Sequence, residues 1–441
     1  MAMKTSRILL KAFLAFCLLF QFNQTHADDS KLSDIGQATR CRAMLESSII
    51  DFYLPACIDQ EYGGYHQELD QNGKFRPGEK FLTLQARQLW FFSSLAIANI
   101  RRDASLEAAK RGFEFIQKYL HDAERGGYYS KVSREGKVID DRKHAYLNSF
   151  AIYALVEYFR ATQNQEVLQQ AIDLFKALEI HAHDVKYLGY EEFFTSDWKV
   201  VIDPKESGYV GAIGVKTYNT HLHLMEAFTS LFRETRDPVV GARLAELIDI
   251  NIQKVKHPDY PCNIDAWYPD WTIVNTTQNL RASYGHDIEC AWLVLDAVDA
   301  LGRKPQSVGD WAKSICAYSI EYGYDTKHHG FFYSGPLGKP ADDHKKEWWP
   351  QSEALVAMLT MEKLTGERRY RQLFDETLDF VEKHQVAPQG SWWATLQEDG
   401  SLGPNRSRTS MWQGAYHNGR AMLLCEQLLL ADPKKQGASV K

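Results

Sequence analysis

Four segments place ionisable or amide side chains on stretches that otherwise read as apolar helix. In Lys216-Thr-Tyr-Asn-Thr-His-Leu-His-Leu-Met-Glu226, Asn219 and His223 lie four apart and share one helix face. In Ser283-Tyr-Gly-His-Asp-Ile-Glu-Cys-Ala-Trp292, His286 and Glu289 are one turn apart, a spacing at which a carboxylate orients an imidazole and raises its basicity. Glu347-Trp-Trp-Pro-Gln-Ser-Glu353 runs two indoles, Trp348 and Trp349, into a helix, and Met411-Trp-Gln-Gly-Ala-Tyr-His-Asn-Gly-Arg420 opens the last helix with Trp412, His417 and an amide. Arg87 sits on the face of an early apolar helix, where a buried cation needs an anionic partner. Singly, each residue has an ordinary reading: a satisfied core histidine, a structural ion pair, a packed indole. Together, three histidines, one arginine and several tryptophans without an evident nucleophile suit proton transfer next to a carbonyl. Imidazole, with a reference pKa of about 6.5, takes and returns a proton near neutral pH, and arginine stabilises a developing enediolate. Two bases on opposite faces of the planar intermediate would invert a carbon; one base shuttling between carbons would isomerise. A metal reading of His221-Leu-His223 is weak, because a helix points residues two apart in different directions and no H-E-x-x-H follows.

These residues must be held by a repeated frame. A Gly-aromatic hairpin recurs at Gly63-Gly64-Tyr65, Gly126-Gly127-Tyr128, Gly189-Tyr190, Gly330-Phe331 and Gly390-Ser391-Trp392. From Gly64 through Gly127, Gly189, Gly330 and Gly390 the steps are 63, 62, 141 and 60 residues, so the long step holds a degenerate copy, expected near Asn263 to Trp271. Between hairpins the apolar period is helical, as in Ala145, Phe150, Ala154, Leu155 and Tyr158. Six units of one hairpin and two helices follow. Closing them into a ring gives every helix pair a neighbour, which predicts an all-α (α/α)6 barrel with short β-hairpins in the loops, as a single domain over residues 28–441.

Composition narrows the partners. The 441 residues are 44% hydrophobic and 24% charged with a formal net charge of -6, and no basic block forms a nucleic-acid footprint. The 11 Trp, 22 Tyr and 22 Phe exceed what a core alone demands and supply flat faces for sugar rings. Residues 1–27 read as a secretory signal: Lys4, Arg7 and Lys11, an apolar run from Leu9 to Phe22, and Thr25-His26-Ala27 at the cut. That run is too short for a stable span, so an exported, periplasmic or secreted monomer is expected. Six cysteines follow the signal without a C-x-x-C; Cys290, Cys316 and Cys425 fall in apolar helical patterns and read as buried small hydrophobes. Gly208-x-x-Gly211-x-x-Gly214 matches no phosphate fingerprint and is assigned no ligand.

At the segments Asn219-Thr-His-Leu-His223-Leu-Met-Glu226, Ser283-Tyr-Gly-His286-Asp-Ile-Glu289, Trp348-Trp349-Pro-Gln-Ser-Glu353 and Trp412-Gln-Gly-Ala-Tyr416-His417-Asn418, the chain resembles the N-acylglucosamine 2-epimerase family, most closely its cellobiose and mannobiose 2-epimerase branch. The family's fold is the α/α barrel. The resemblance implies that His417 removes the C2 proton of the open-chain reducing-end sugar of a disaccharide or oligosaccharide and that His286 is its counterpart on the opposite face. It further implies that His223 assists ring opening, that Arg87 and Asn219 stabilise the C1 and C2 oxygens, and that Glu289 orients His286. Trp349, Trp412 and Trp348 would stack on sugar rings and Tyr146 would face the cleft, with no nucleotide, nicotinamide or metal required. The chain departs from the family at Gln413-Gly-Ala415, where Lys and Pro are expected. Alternatives are an aldose-ketose isomerase of the same superfamily, a non-catalytic sugar-binding protein, or a glycoside hydrolase. The last needs two carboxylates flanking the bond, for which Asp265 with Asp270, or Glu191 with Glu192, are the candidates.

Overall fold

The computed structural model describes residues 33–431 apart from 204 and 207; the segment read as a signal lies outside them. Twelve helices are found among these residues. Six form an inner ring: α2 (Leu82–Ile97), α4 (Ala145–Thr162), α6 (Tyr218–Thr235), α8 (Tyr284–Ala300), α10 (Trp348–Thr365) and α12 (Tyr416–Leu430). Each packs on the next, and α12 returns to α2 and closes the ring. Outside it lie α1 (33–53), α3 (Arg102–Phe115), α5 (Gln165–His181), α7 (Pro238–Asp249), α9 (Gly309–Gly323) and α11 (Arg368–Phe380). This is the expected (α/α)6 barrel. Burial follows from sequence: α10 is covered on all sides, from Trp348 through Leu359, as a helix apolar all round must be. By contrast α11 buries Tyr370, Phe374, Thr377 and Leu378 and turns its charged residues outward.

Each outer helix leads to a hairpin whose closing bridge repeats six times: Ile58 with Tyr65, His121 with Tyr128, His183 with Tyr190, Lys256 with Asn263, Tyr324 with Phe331, and Val386 with Trp392. The degenerate copy is therefore at Asn263, where the spacing placed it. A short strand then enters the inner helix and pairs with the following hairpin, as Lys80–Phe81 does with Lys131–Val132, so the hairpins form a second, smaller circle at one mouth.

Four buried lysines lock that circle. Lys80 meets Asp59 at 3.0 Å, Lys143 meets Asp122 at 2.7 Å, Lys216 meets Asp184 at 2.7 Å and Lys346 meets Asp325 at 2.7 Å. A buried ammonium must be fully hydrogen-bonded. Lys346 Nζ accordingly also donates to His329 O at 2.7 Å in its own hairpin and to Glu398 O at 2.6 Å in the next. Gly64 is required here: its φ is +68°, and a Cβ would stand 2.7 Å from the Gln85 oxygen that accepts from Tyr65 N. The six described cysteines are free and buried.

Candidate active site

The inner helices all begin at the hairpin mouth, so their first two turns converge on one cavity of about 520 Å³. All ten residues singled out from the sequence line it: Arg87, Tyr146, Asn219, His223, His286, Glu289, Trp348, Trp349, Trp412 and His417. Six helix N-termini, each carrying partial positive charge, surround the same volume and favour an anion within it.

The two histidines of the pair are held differently. His417 Nδ1 lies 2.6 Å from Glu353 Oε1, an arrangement that leaves Nε2 as the free lone pair when Nδ1 carries the proton. His286 Nδ1 lies 2.9 Å from the Ser283 hydroxyl. Both rings pack on one indole, with Trp349 4.6 Å from His286 and 6.0 Å from His417 between centroids. Burial lowers the His286 pKa to about 3, with His223 adding to the effect. Burial, with the Arg87 and Arg420 guanidiniums, holds His417 well below 6.5. Both imidazoles are therefore neutral at pH 7 and able to accept a proton.

Beneath them lies a charged floor built on Arg420, 1% exposed. Its guanidinium contacts Glu226, and its Nη2 donates to Glu289 Oε1 at 2.9 Å and to Glu353 Oε1 at 2.8 Å. Glu226 in turn accepts from Tyr416 OH at 2.5 Å and lies 2.9 Å from His223 Nδ1. Burial opposes ionisation of Glu226, but Arg420 and the His223 hydrogen bond outweigh it and set its pKa at about 2. Glu289 goes the other way: burial and the nearby Glu353 carboxylate push its pKa well up, and burial also raises that of Glu353 against the pull of Arg420. Carboxylate oxygens of Glu289 and Glu353 and a ring nitrogen of His417 cluster closely enough to suggest a cation site, yet the Arg420 guanidinium already bonds both carboxyl groups and serves as the cation.

Arg87 bridges the rim. Its Nη1 donates to Trp412 O at 2.6 Å and its Nη2 to Tyr146 OH at 2.9 Å, with the guanidinium 4.3 Å from the Phe150 ring centre. No carboxylate pairs with it among the described residues, so the anionic partner expected for a buried arginine is left to the cavity's contents. Several polar atoms on the wall are also buried without a hydrogen-bond partner among the described residues: Arg87 Nε, Asn219 Oδ1, Glu289 Oε2, Trp348 Nε1 and Gln413 Oε1. Each costs about 1–3 kcal/mol while unsatisfied.

Some expectations are corrected. Glu289 does not orient His286; Ser283 does, because the buried Arg420 charge takes the Glu289 carboxyl. His221 is no ligand: its Nδ1 lies 2.7 Å from Thr217 O and its Nε2 accepts from Tyr190 N at 2.9 Å. Of the four hydrolase carboxylates only Asp265 reaches the cavity, and it is used to receive Asn219 N at the start of α6, 3.2 Å away. Glu192 accepts from Thr217 and Thr220 at the same helix start, and Asp270 is exposed in a turn. The loop assigned no ligand contributes Tyr209, Val210 and Gly211 to the wall. Sequence reasoning gave no role to Glu226, Glu353 or Arg420, although the i, i+3 spacings His223 to Glu226 and His417 to Arg420 were visible.

Residues 63–421 match the family described as N-acylglucosamine 2-epimerase (GlcNAc 2-epimerase). A cellobiose 2-epimerase of Bacteroides fragilis is 31% identical over 390 residues, covering 87% of this chain and 96% of that protein. An N-acylglucosamine 2-epimerase of Mus musculus is 24% identical, covering 86% and 89%. The solved cellobiose 2-epimerase of Spirochaeta thermophila aligns with a TM-score of 0.81 at 29% identity, covering 90% of this chain and 97% of that one. A GH76 α-mannanase of Bacteroides thetaiotaomicron, TM-score 0.62 at 13% identity, shares the fold alone. With a family match running through five of the six inner helices and into the sixth, and full-length relatives of one reaction class, this chain belongs to the N-acylglucosamine 2-epimerase family and is a carbohydrate epimerase, an isomerase.

Proposed function

We propose that the chain inverts C2 of the reducing-end residue of a disaccharide or oligosaccharide of the cellobiose or mannobiose type. The observation that carries this reading is the pair of neutral imidazoles, His417 on a carboxylate and His286 on a hydroxyl, against the single indole of Trp349. His223, backed by Glu226, moves the proton that opens the ring. His417 Nε2 then takes the C2 proton, the C–H electrons form the C1–C2 double bond, and the C1 carbonyl pair becomes an enediolate oxygen. Arg87 and Asn219 offer that oxygen a cation and an amide. As the enediolate charge develops beside it, His286 takes up a proton from solvent and delivers it to C2 from the other face, the carbonyl reforms, the His417 imidazolium releases its proton to solvent, and the reverse reaction exchanges the two roles. Glu353 stabilises the His417 imidazolium while it exists. Trp349, Trp412 and Trp348 hold the sugar rings, and export to the periplasm or medium follows from residues 1–27.

The test is proton NMR of the mature protein with cellobiose, and separately mannobiose, in deuterated water. A C2 epimer carrying deuterium, absent in His417→Ala, is the expected result. A ketose product would move the reading to an aldose-ketose isomerase, and free monosaccharide to a hydrolase.

A further inference from the structure

A second groove, about 690 Å³ in volume, lies beside the active-site cavity, and Ser407 and Ser410 line both. The two volumes therefore adjoin at that rim. We propose that this groove is an accessory saccharide site that receives the third and later residues of a neutral oligosaccharide whose reducing end sits at His417 and His286. The inference rests on the epimerase reading of the first cavity.

The chemistry of the wall carries it. Trp393 is only partly covered and presents an indole; its position is fixed by the buried Arg408, whose guanidinium lies 5.7 Å from the ring centre and donates to Gly390 O at 2.8 Å. Around it stand Gln71, Asn72 and Gln389, amides that both donate and accept, and the exposed Arg406. Flat aromatic surface beside convergent amides and guanidinium is what a hydroxylated ring requires: one face to stack, and edges whose hydroxyls need donors and acceptors. The acidic groups of the wall are already engaged. Asp70 and Glu68 share the wall, the first accepting from Asn72 N at 2.8 Å and Lys74 N at 3.0 Å within its own turn, the second paired with Arg76. The groove lies at the junction of the first and last hairpins, where Arg408 bridges the two, donating to Gly390 O at 2.8 Å and to Gly73 O at 3.4 Å.

The experiment compares kcat/KM for cellobiose and cellotetraose, and for mannobiose and mannotetraose, in the wild type, Trp393→Ala and Arg406→Ala. The expected result is a tetraose-to-disaccharide ratio of about ten in the wild type, falling toward one in Trp393→Ala and severalfold in Arg406→Ala, whose exposed side chain leaves folding intact. A wild-type ratio near one for both sugar series, or a ratio that neither substitution moves, overturns the proposal. If neither sugar length is epimerised, the epimerase reading fails on its own. The groove is then read by tetraose binding, followed by tryptophan fluorescence, with a tenfold weaker Kd in Trp393→Ala supporting it and an equal Kd overturning it.

Discussion

Replacing Glu353 by glutamine isolates the carboxylate that holds His417. Glu353 does not line the cavity, so the substitution leaves the sugar contacts alone and acts through the imidazole. In the wild type its Oε1 stands 2.6 Å from His417 Nδ1, and its Oε2 accepts from Trp292 Nε1 at 3.0 Å. When His417 takes the C2 proton, an imidazolium forms against that carboxylate. At an effective dielectric of about 20 a unit charge pair at this separation is worth about 6 kcal/mol, an upper bound. The lower bound is the difference between a charged and a neutral hydrogen bond, about 1 kcal/mol. A loss between these, about 3–5 kcal/mol, corresponds to roughly 10²–10⁴ in kcat. Because the stabilisation exists only once the proton has moved, KM changes little and the loss falls on kcat. Initial rates on cellobiose and C2 deuteration rates in deuterated water measure it, with circular dichroism confirming the fold. A correctly folded Glu353→Gln with kcat within threefold of the wild type would refute the role given to His417 as base.

Other outcomes follow from the same geometry. Because burial sets His286 at about 3 and holds His417 well below 6.5, protonation removes the bases only on acidification: kcat/KM falls on the acid side with its limb well below 6.5, and a limb centred at 6.5 contradicts this. His221→Gln keeps activity within about fivefold, since glutamine already accepts the equivalent backbone N–H at Gln85 and Gln351, whereas His223→Gln, two residues on, loses at least about a hundredfold in kcat. Lys346→Met strands the buried Asp325 carboxylate and lowers unfolding free energy by about 3–5 kcal/mol in a urea titration; a loss under 1 kcal/mol would show that the lysine clips contribute little.

The ring was legible because its period is long and its markers are conformationally demanding: glycines at positive φ beside a buried aromatic leave a regular trace in sequence. The degenerate fourth copy was placed by the spacing together with the aromatics and breaker between Asp265 and Trp271, since Asn263 fills the tyrosine position without the glycines. Among the ten cavity residues, His223, His286, His417, Arg87 and Asn219 were legible because histidine, arginine and amides are unexpected on apolar helices, whereas Tyr146 was found only through the family resemblance. What was not legible was who bonds whom. Glu289 is one turn from His286, and local spacing favours that pair, but a guanidinium from α12, 131 residues away, outcompetes it. Contacts across the barrel interior join residues distant in sequence, and no helix-local rule reports them.

The repeat nonetheless explains why the site is where it is. In five units one side chain near the start of the inner helix accepts the backbone N–H of the hairpin's bridge residue: Gln85 from Tyr65, Asn148 from Tyr128, His221 from Tyr190, Asp287 from Asn263 and Gln351 from Phe331. That bond fixes the rotation of each inner helix about its own axis. The residue two further on is turned by about 200° and looks into the barrel: Arg87, Phe150, His223, Glu289 and Glu353. The structural position is constrained to an acceptor in each of these five units, and so varies only among Gln, Asn, His and Asp. The interior position is free of that duty and has taken a different chemistry in each unit. His221 and His223 are thus the same residue type with opposite obligations, one closing a hairpin and one facing the sugar cavity. The asymmetric acid-base site arises from a near-symmetric ring because the frame uses one residue of each pair and leaves the other to vary.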